Sequence, residues 1–508
     1  MKVTRRDALK ASGLALGGLA IGGTGKALAQ CLPHGPCYPD TTHNTQRYSW
    51  FDKLPTMDFT QTPVAPGTPF TFPTPSDTPK LDPDEMRITF MGSCTPLLRR
   101  AQALMSIFVE VGWKDNKAVD QVIFDCGSGC TRNYSAMGVG YGRMDKIFIN
   151  HLHGDHTADL SHIYCFGPSG DRLSPQFVFG PSPSGVKSPR PPRRYYDDGI
   201  NAFCANLREA WRWHTESFSF QNTSYQGYQL PTQQDWGLPV KPVPVSDDPP
   251  DDGYAMIPIQ LDWTKIGGVA YNNPNTGLKI THFPVIHTRR GAMGYKLEWY
   301  GPDGSWNRPL SMIYTSDTKP EQNTILQAIN RDPKGVAKGV DVLIHEMIVP
   351  PEIWAMEFSH LNQPGSGPNW DNVVARSTDV QNASHTPQGA FGYLLSQINP
   401  RPRLTVATHF PVSDDTIACA LESVNKHCPD ITDLGQGLTW SFDLLVLRVY
   451  PDRIEQYRAE VLDYGFGPLY AGPPANLKNP PKYSDPYAQI DRTYEIKSGN
   501  DTYCDDGY

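Results

Sequence analysis

His151-Leu152-His153-Gly154-Asp155-His156 places four metal-binding side chains within six residues, directly after the apolar run Lys146-Ile147-Phe148-Ile149-Asn150. A short apolar run that stops at histidine predicts a strand with the cluster at its end. At such a junction alternate histidines can face one ion while Asp155 and His156 turn toward another. Neutral imidazole and carboxylate suit zinc, and also manganese or iron. The plain alternative is a solvated, His-rich loop, and the rest of the chain weighs against it. His287 ends Phe283-Pro284-Val285-Ile286-His287, Asp317 follows Met312-Ile313-Tyr314-Thr315-Ser316, and His409 follows Thr405-Val406-Ala407-Thr408. One histidine at a strand end is usually a packed or surface residue. Three further ligands at strand ends, after an H-x-H-x-D-H cluster, read as a metal-binding set.

Further strands are predicted over 87–92, 121–125, 278–285, 295–299, 312–315, 340–344 and 404–408, with a closing hairpin of 444–450 and 454–457. Thr386 is a good N-cap and Pro387 fits the first turn, so a helix is expected to start there. Residues 30–85 are rich in Pro and Thr and read as an extended arm. Residues 166–255 hold Pro-rich turns, the cluster Arg190, Arg193 and Arg194, a helix expected near 201–218, and dense aromatics. They read as an insertion over one end of the sheet, with 195–218 as a lid. Residues 463–508 read as a C-terminal extension. No internal repeat is visible in the sequence.

The chain has 508 residues, and 39% apolar content is enough for a sizeable core. Net charge is −8. Residues 1–29 carry Lys2, Arg5, Arg6, Lys10 and Lys26 against Asp7, so the remainder stands at −12. An acidic chain is a poor general binder of nucleic acid, whose affinity comes largely from phosphate neutralisation. Those first 29 residues have a basic start, a weakly apolar stretch and Ala27-Leu28-Ala29, the layout of an export signal. Thr4-Arg5-Arg6-Asp7-Ala8-Leu9-Lys10 resembles a twin-arginine signal, which implies passage through the twin-arginine machinery. The expected location is therefore periplasmic or secreted, with no stable membrane span after cleavage. An oxidising compartment permits disulfides among the ten cysteines.

With these motifs together, the sequence resembles the metallo-β-lactamase fold superfamily, nearest its ribonuclease Z-like branch. The matching stretches are 88–93, Phe124-Asp125-Cys126-Gly127, His151 to His156, Val285-Ile286-His287 with Gly294-Tyr295, Thr315-Ser316-Asp317-Thr318, His345-Glu346, Ser384-His385-Thr386 and Ala407-Thr408-His409, in the family's order across about 86–460. The resemblance implies an α/β fold, an αββα sandwich decorated by the arm, lid and extension, making 86–462 the hydrolase domain. It implies two divalent ions, expected to be zinc. His151, His153 and His287 would hold the first; Asp155, His156 and His409 the second; Asp317 would bridge. The ions would share a hydroxide as nucleophile, which Asp155 would also orient. Asp125 would support the ligand loop, and His345 would pack beneath the site. His385 and Glu346 match the branch's proton-relay pair, with helix capping as the plainer role for His385.

Ribonuclease Z grips tRNA with a protruding arm. Between the predicted strands ending at Trp299 and starting at Met312 there is room only for a turn. Secreted arylsulfatases of this fold share the ligand scheme and fit the compartment better. Arg289 and Arg290 follow His287 and are candidates for binding an anion, against a solvated loop as the plainer reading. The expected function is an exported, dinuclear metal-dependent hydrolase of a small anionic ester, a phosphodiester or sulfate ester, with nucleic acid not expected as partner. The alternatives are a lactonase or β-lactamase-type hydrolase, or a non-catalytic metal-binding scaffold.

Overall fold

The computed structural model describes residues 54–59, 79–96, 101–217, 233–236, 254–358, 368–412, 416–431 and 437–461. The expected signal peptide, the C-terminal extension and most of the arm lie outside the described residues. In chain order the strands are β1 (Thr56–Asp58), β2 (Met86–Gly92), β3 (Ser106–Lys114), β4 (Lys117–Phe124), β5 (Lys146–Phe148), β6 (Gln176–Pro181), β7 (Met256–Leu261) and β8 (Gly268–Asn273). They continue as β9 (Leu278–Pro284), β10 (Met293–Trp299), β11 (Leu310–Tyr314), β12 (Val342–Glu346), β13 (Leu404–Thr408), β14 (Leu438–Trp440), β15 (Leu445–Val449) and β16 (Ile454–Glu460).

These strands form two sheets. One has the order β1-β16-β15-β2-β3-β4-β5-β6-β7, the other β14-β13-β12-β11-β10-β9-β8. Strand alternation explains the layering. Val122 and Phe124 of β4, Met312 and Tyr314 of β11, and Leu445 and Leu447 of β15 point into one core between the sheets. Ile123, Ile147 and Val446 point outward, onto helices Cys130–Ala136, Leu160–Phe166 and Ile200–Ala210. Ile313, Leu343 and Ala407 face the helices Gln322–Ile329, Pro351–Phe358, Gln388–Ser396 and Thr416–Asn425. Both sheets are thus buried on both faces, which gives the helix–sheet–sheet–helix sandwich expected from the resemblance.

Direction places the site. β4 and β5 are parallel, as are β11, β12 and β13. β9 pairs antiparallel with β10, and β10 with β11, so β9 runs with β11. The loops after these strands therefore leave from one edge of the sandwich, and every candidate ligand lies in them. Gly127 lets this edge close: a Cβ there would meet the Asp155 carbonyl oxygen at 2.1 Å.

Several expectations need correction. The 166–255 insertion is interrupted by β6, which pairs with β5 and β7 inside the sheet. Its run Gln-Phe-Val-Phe-Gly-Pro is a buried strand masked by flanking prolines. The helix expected over 201–218 is two helices, Ile200–Ala210 and Arg212–Ser217, with Trp211 between them. The arm contributes β1, which pairs with β16. Pro387, not Thr386, is the N-cap of Gln388–Ser396, because its ψ of 157° is extended. The Thr386 hydroxyl instead donates to the Thr318 carbonyl at 2.6 Å. β10 and β11 are joined by a short hairpin, as expected.

Candidate metal centre

The loop after β5 enters a short helix, Gly154–Thr157, so His151 and His153 lie before the turn and Asp155 and His156 on it. His151 Nε2 lies 3.1 Å from His153 Nδ1, and His287 Nε2 lies 3.2 Å from the same nitrogen. Three imidazole nitrogens thus converge on one point. A second set faces it. His156 Nε2 lies 3.4 Å from Asp155 Oδ2 and 3.3 Å from Asp317 Oδ1. His409 Nε2 lies 3.3 Å from Asp155 Oδ2 and 3.4 Å from Asp317 Oδ1. The other Asp317 oxygen, Oδ2, lies 3.8 Å from His287 Nε2. Asp317 therefore offers one oxygen to each set. The seven expected ligand residues fall into these two groups, His151–His153–His287 and Asp155–His156–Asp317–His409.

Supporting contacts orient the rings. His156 Nδ1 is 2.8 Å from Asp125 Oδ2, which also accepts from the Tyr314 hydroxyl at 2.8 Å and the Ser316 hydroxyl at 3.3 Å. The other Asp125 oxygen accepts the Asn150 amide at 3.0 Å. His287 Nδ1 faces the Ser384 carbonyl at 3.0 Å. Asp125, Ser316 and His409 hold positive φ of 57°, 55° and 58°, an uncommon conformation for such residues that clusters at functional sites. Tyr314 and Ser316 had no role in the sequence reading. The inward parity of β11 was the available signal for Tyr314.

The charges sort the same way. Burial, with His156 adding to it, lowers the His151 imidazole well below its ordinary value, and burial also lowers His153 and His287. Burial would likewise lower His156 and His409, yet Asp317 and neighbouring carboxylates lift both, His409 to about 10. Burial would raise Asp317, yet His409 and His156 hold it well below the carboxylate range. One set is neutral nitrogen; the other carries two buried carboxylates that draw in positive charge. His156 Nε2 and Asp317 Oδ1 are buried without a hydrogen-bond partner, both aimed into the second set. This donor chemistry fits two divalent cations.

Beside the centre, His385 Nδ1 lies 2.8 Å from Glu346 Oε2. Glu346 is fully buried, accepts the Thr318 amide, and has His409 Nδ1 at 3.6 Å. His385 is raised: burial would lower it, but Glu346 outweighs that. His345 is buried, with Nδ1 2.7 Å from the Glu346 carbonyl and its ring against Phe391.

Arg289 and Arg290 line a cleft beside the first set. Arg289 Nε donates to Asp198 Oδ2 at 2.7 Å and its Nη2 to the Val186 carbonyl at 2.7 Å, while Arg290 is exposed. Arg190, Arg193 and Arg194 are exposed and do not line the cleft. Cys126, Cys130, Cys165, Cys204 and Cys428 are buried free thiols, and Cys94 is buried. Among the described residues no helix is long and apolar enough to cross a membrane.

The two helix-covered sheets have the layering that the resemblance to the metallo-β-lactamase fold implies. No family model matches the chain. It is similar to ribonuclease Z of Archaeoglobus fulgidus, 22% identical over 295 residues, which cover 54% of this chain and 79% of that enzyme. Ribonuclease BN of Enterobacter sp. is 29% identical over 97 residues, 19% of this chain and 31% of its own length. Among solved structures, the metallo-β-lactamase fold protein YhfI from Bacillus subtilis aligns with a TM-score of 0.40 at 13% identity, over 72% of this chain and 100% of that one. The named ribonucleases support a hydrolase, and they stand in weak tension with the charge-based expectation of a substrate other than nucleic acid.

Proposed function

We propose that this chain is an exported, periplasmic or secreted, dinuclear metal-dependent hydrolase of a small anionic ester, a phosphodiester before a sulfate ester. One observation carries the reading: the two Asp317 oxygens face two separate donor sets, and the His385–Glu346 pair stands beside them. The ribonuclease relatives favour phosphorus over sulfur, and the acidic chain favours a small ester over a polyanion.

Two divalent cations, zinc in this reading, would be held by His151, His153 and His287 and by Asp155, His156 and His409, with Asp317 between, and would supply Lewis acidity and a nucleophile at neutral pH. The residues supply orientation and proton transfer. Asp155 orients the attacking water, whose oxygen joins the reacting phosphorus and whose proton passes to solvent. The bond to the leaving oxygen breaks, and that oxygen takes its proton from His385. Glu346 is a positioning residue: its contact to Nδ1 turns the His385 Nε2 proton toward the leaving oxygen.

The test is a substrate panel on mature protein with its metals: bis(p-nitrophenyl) phosphate, p-nitrophenyl sulfate, an aryl lactone and a chromogenic cephalosporin. Turnover of the anionic esters that chelation abolishes is expected. Turnover of only the lactone or the cephalosporin would replace the proposal with the lactonase or β-lactamase alternative. Metal binding with no turnover at all would leave a scaffold.

A further inference from the structure

A cleft of about 320 Å³ opens beside the first donor set, between residues 181–206 and the loop 287–292. His151, His153 and His287 form one end, and Leu152, Pro181, Phe203 and Ala292 supply apolar walls. His385 and Glu346 do not line it. In an in-line displacement the leaving oxygen must come within hydrogen-bond reach of its acid. The leaving group therefore departs on the His385 side, and the group that stays on the reacting phosphorus falls to the cleft.

Size and charge narrow what that group is. The volume sits at the low end of the roughly 300–1,000 Å³ typical of small-molecule sites, room for one ring system. Arg289 is committed to the wall by Asp198, which also accepts the Ser184 amide at 2.8 Å and its hydroxyl at 2.7 Å. That leaves Arg290 as a cleft cation with no ion pair among the described residues, with Asp197 also on the lining. A track for a polynucleotide needs a row of cations with aromatic platforms. One such arginine among the described lining residues, with an aspartate and apolar walls around the same cleft, does not make one.

We propose that this cleft is the subsite for the retained group of a compact phosphodiester, one planar aryl or nucleoside-sized moiety, rather than a groove for RNA. The proposal rests on the hydrolase reading above. It is tested with metal-loaded protein and three p-nitrophenyl diesters whose retained group is methyl, phenyl or 5′-thymidine, alongside a short oligoribonucleotide. Burying one ring should raise kcat/KM roughly 10–100-fold over methyl, mainly through KM. Asn206→Trp changes an exposed helix position on the cleft wall and should bring that preference close to one. Phenyl or thymidine preferred over the other arm says which ring chemistry the walls suit. Equal rates for methyl and ring diesters, a preference untouched by Asn206→Trp, or an oligoribonucleotide cleaved faster than the thymidine diester would overturn the subsite while hydrolysis stood. No turnover of any diester would overturn the phosphodiester reading and the subsite with it.

Discussion

Replacing His385 by alanine separates proton transfer from metal binding. Its Nδ1 is 2.8 Å from Glu346, so its Nε2 is the atom available to a leaving oxygen. The ligand His287 is oriented by the Ser384 carbonyl, which is main chain and survives the substitution. Glu346 loses one partner but keeps the Thr318 amide and His409 Nδ1 at 3.6 Å. Weakening one buried acceptor costs about 1–3 kcal/mol of stability, which the fold can absorb. The rate effect is larger and selective. General acid catalysis is worth roughly 10²–10⁴-fold, or about 3–5 kcal/mol of barrier, when the leaving alcohol is strongly basic. A nitrophenol departs as a stable anion and needs little of that help. His385→Ala should therefore lose roughly 10²–10⁴-fold on an alkyl leaving group, far less on a nitrophenyl one, and no metal. Glu346→Gln should show the same ordering, more weakly. The assay is kcat across a leaving-group series, with metal content measured for each variant. Equal losses on good and poor leaving groups would remove the relay. Loss of a metal ion would make His385 a ligand, since its nitrogen, His287 and Glu346 also lie close enough together to hold one.

His151→Ala and Asp317→Ala should each lower metal occupancy and hydrolysis together, Asp317→Ala affecting both ions because its oxygens face both sets; metal analysis checks this, and full activity after chelation would contradict it. Arg5→Lys with Arg6→Lys should trap the precursor in the cytoplasm, and mature protein should begin near Gln30, as N-terminal sequencing would show. Burial depresses His282 to about 4, below its unfolded value near 6.5, so its contribution to stability is complete above about 6.5 and is lost as pH falls toward 4. Between pH 7.5 and 5 this amounts to about 2 kcal/mol, which His282→Leu should remove from the pH slope of urea unfolding measured against wild type.

The candidate site was legible because the residue types that can bind metal are chemically rare and here sit at strand ends, where sequence punctuation is clear. His151, Asp317 and His409 each close an apolar run, and a polar or charged residue there needs a reason. What positions them was harder to read. Tyr314 resembles any aromatic in a buried strand until the two sheets are stacked and its hydroxyl reaches Asp125. Asp198 lies far along the chain from Arg289, so nothing local shows that the arginine's charge is already used. β3 went unrecognised because Glu110 interrupts its apolar run; that carboxylate is buried against Arg143, a partner from a distant turn. β6 was hidden by composition, since prolines around it made a core strand read as insertion.

The sheets also show a symmetry the sequence conceals. β2, β3 and β4 run antiparallel, followed by β5, β6 and β7 parallel to β4; β9, β10 and β11 run antiparallel, followed by β12, β13 and β14 parallel to β11. Corresponding loops can then be compared. After β4 comes Asp125 and after β11 comes Asp317, each at a left-handed kink, at Asp125 itself and at Ser316. One aspartate orients a ligand histidine; the other faces both donor sets. After β5 comes the histidine cluster; at the end of β12 stands Glu346, holding the relay histidine. After β13 comes His409, whereas the loop after β6 supplies no ligand and instead builds the cleft wall with Ser184 and Asp198. Alternating burial preserves such a repeat without preserving residue identity, because any apolar side chain of the right size keeps a strand in its sheet. The two halves thus offer equivalent loops at one edge, and the division of labour proposed for them, between binding metal, moving a proton and shaping the cleft, would be set by a few polar residues at the strand ends.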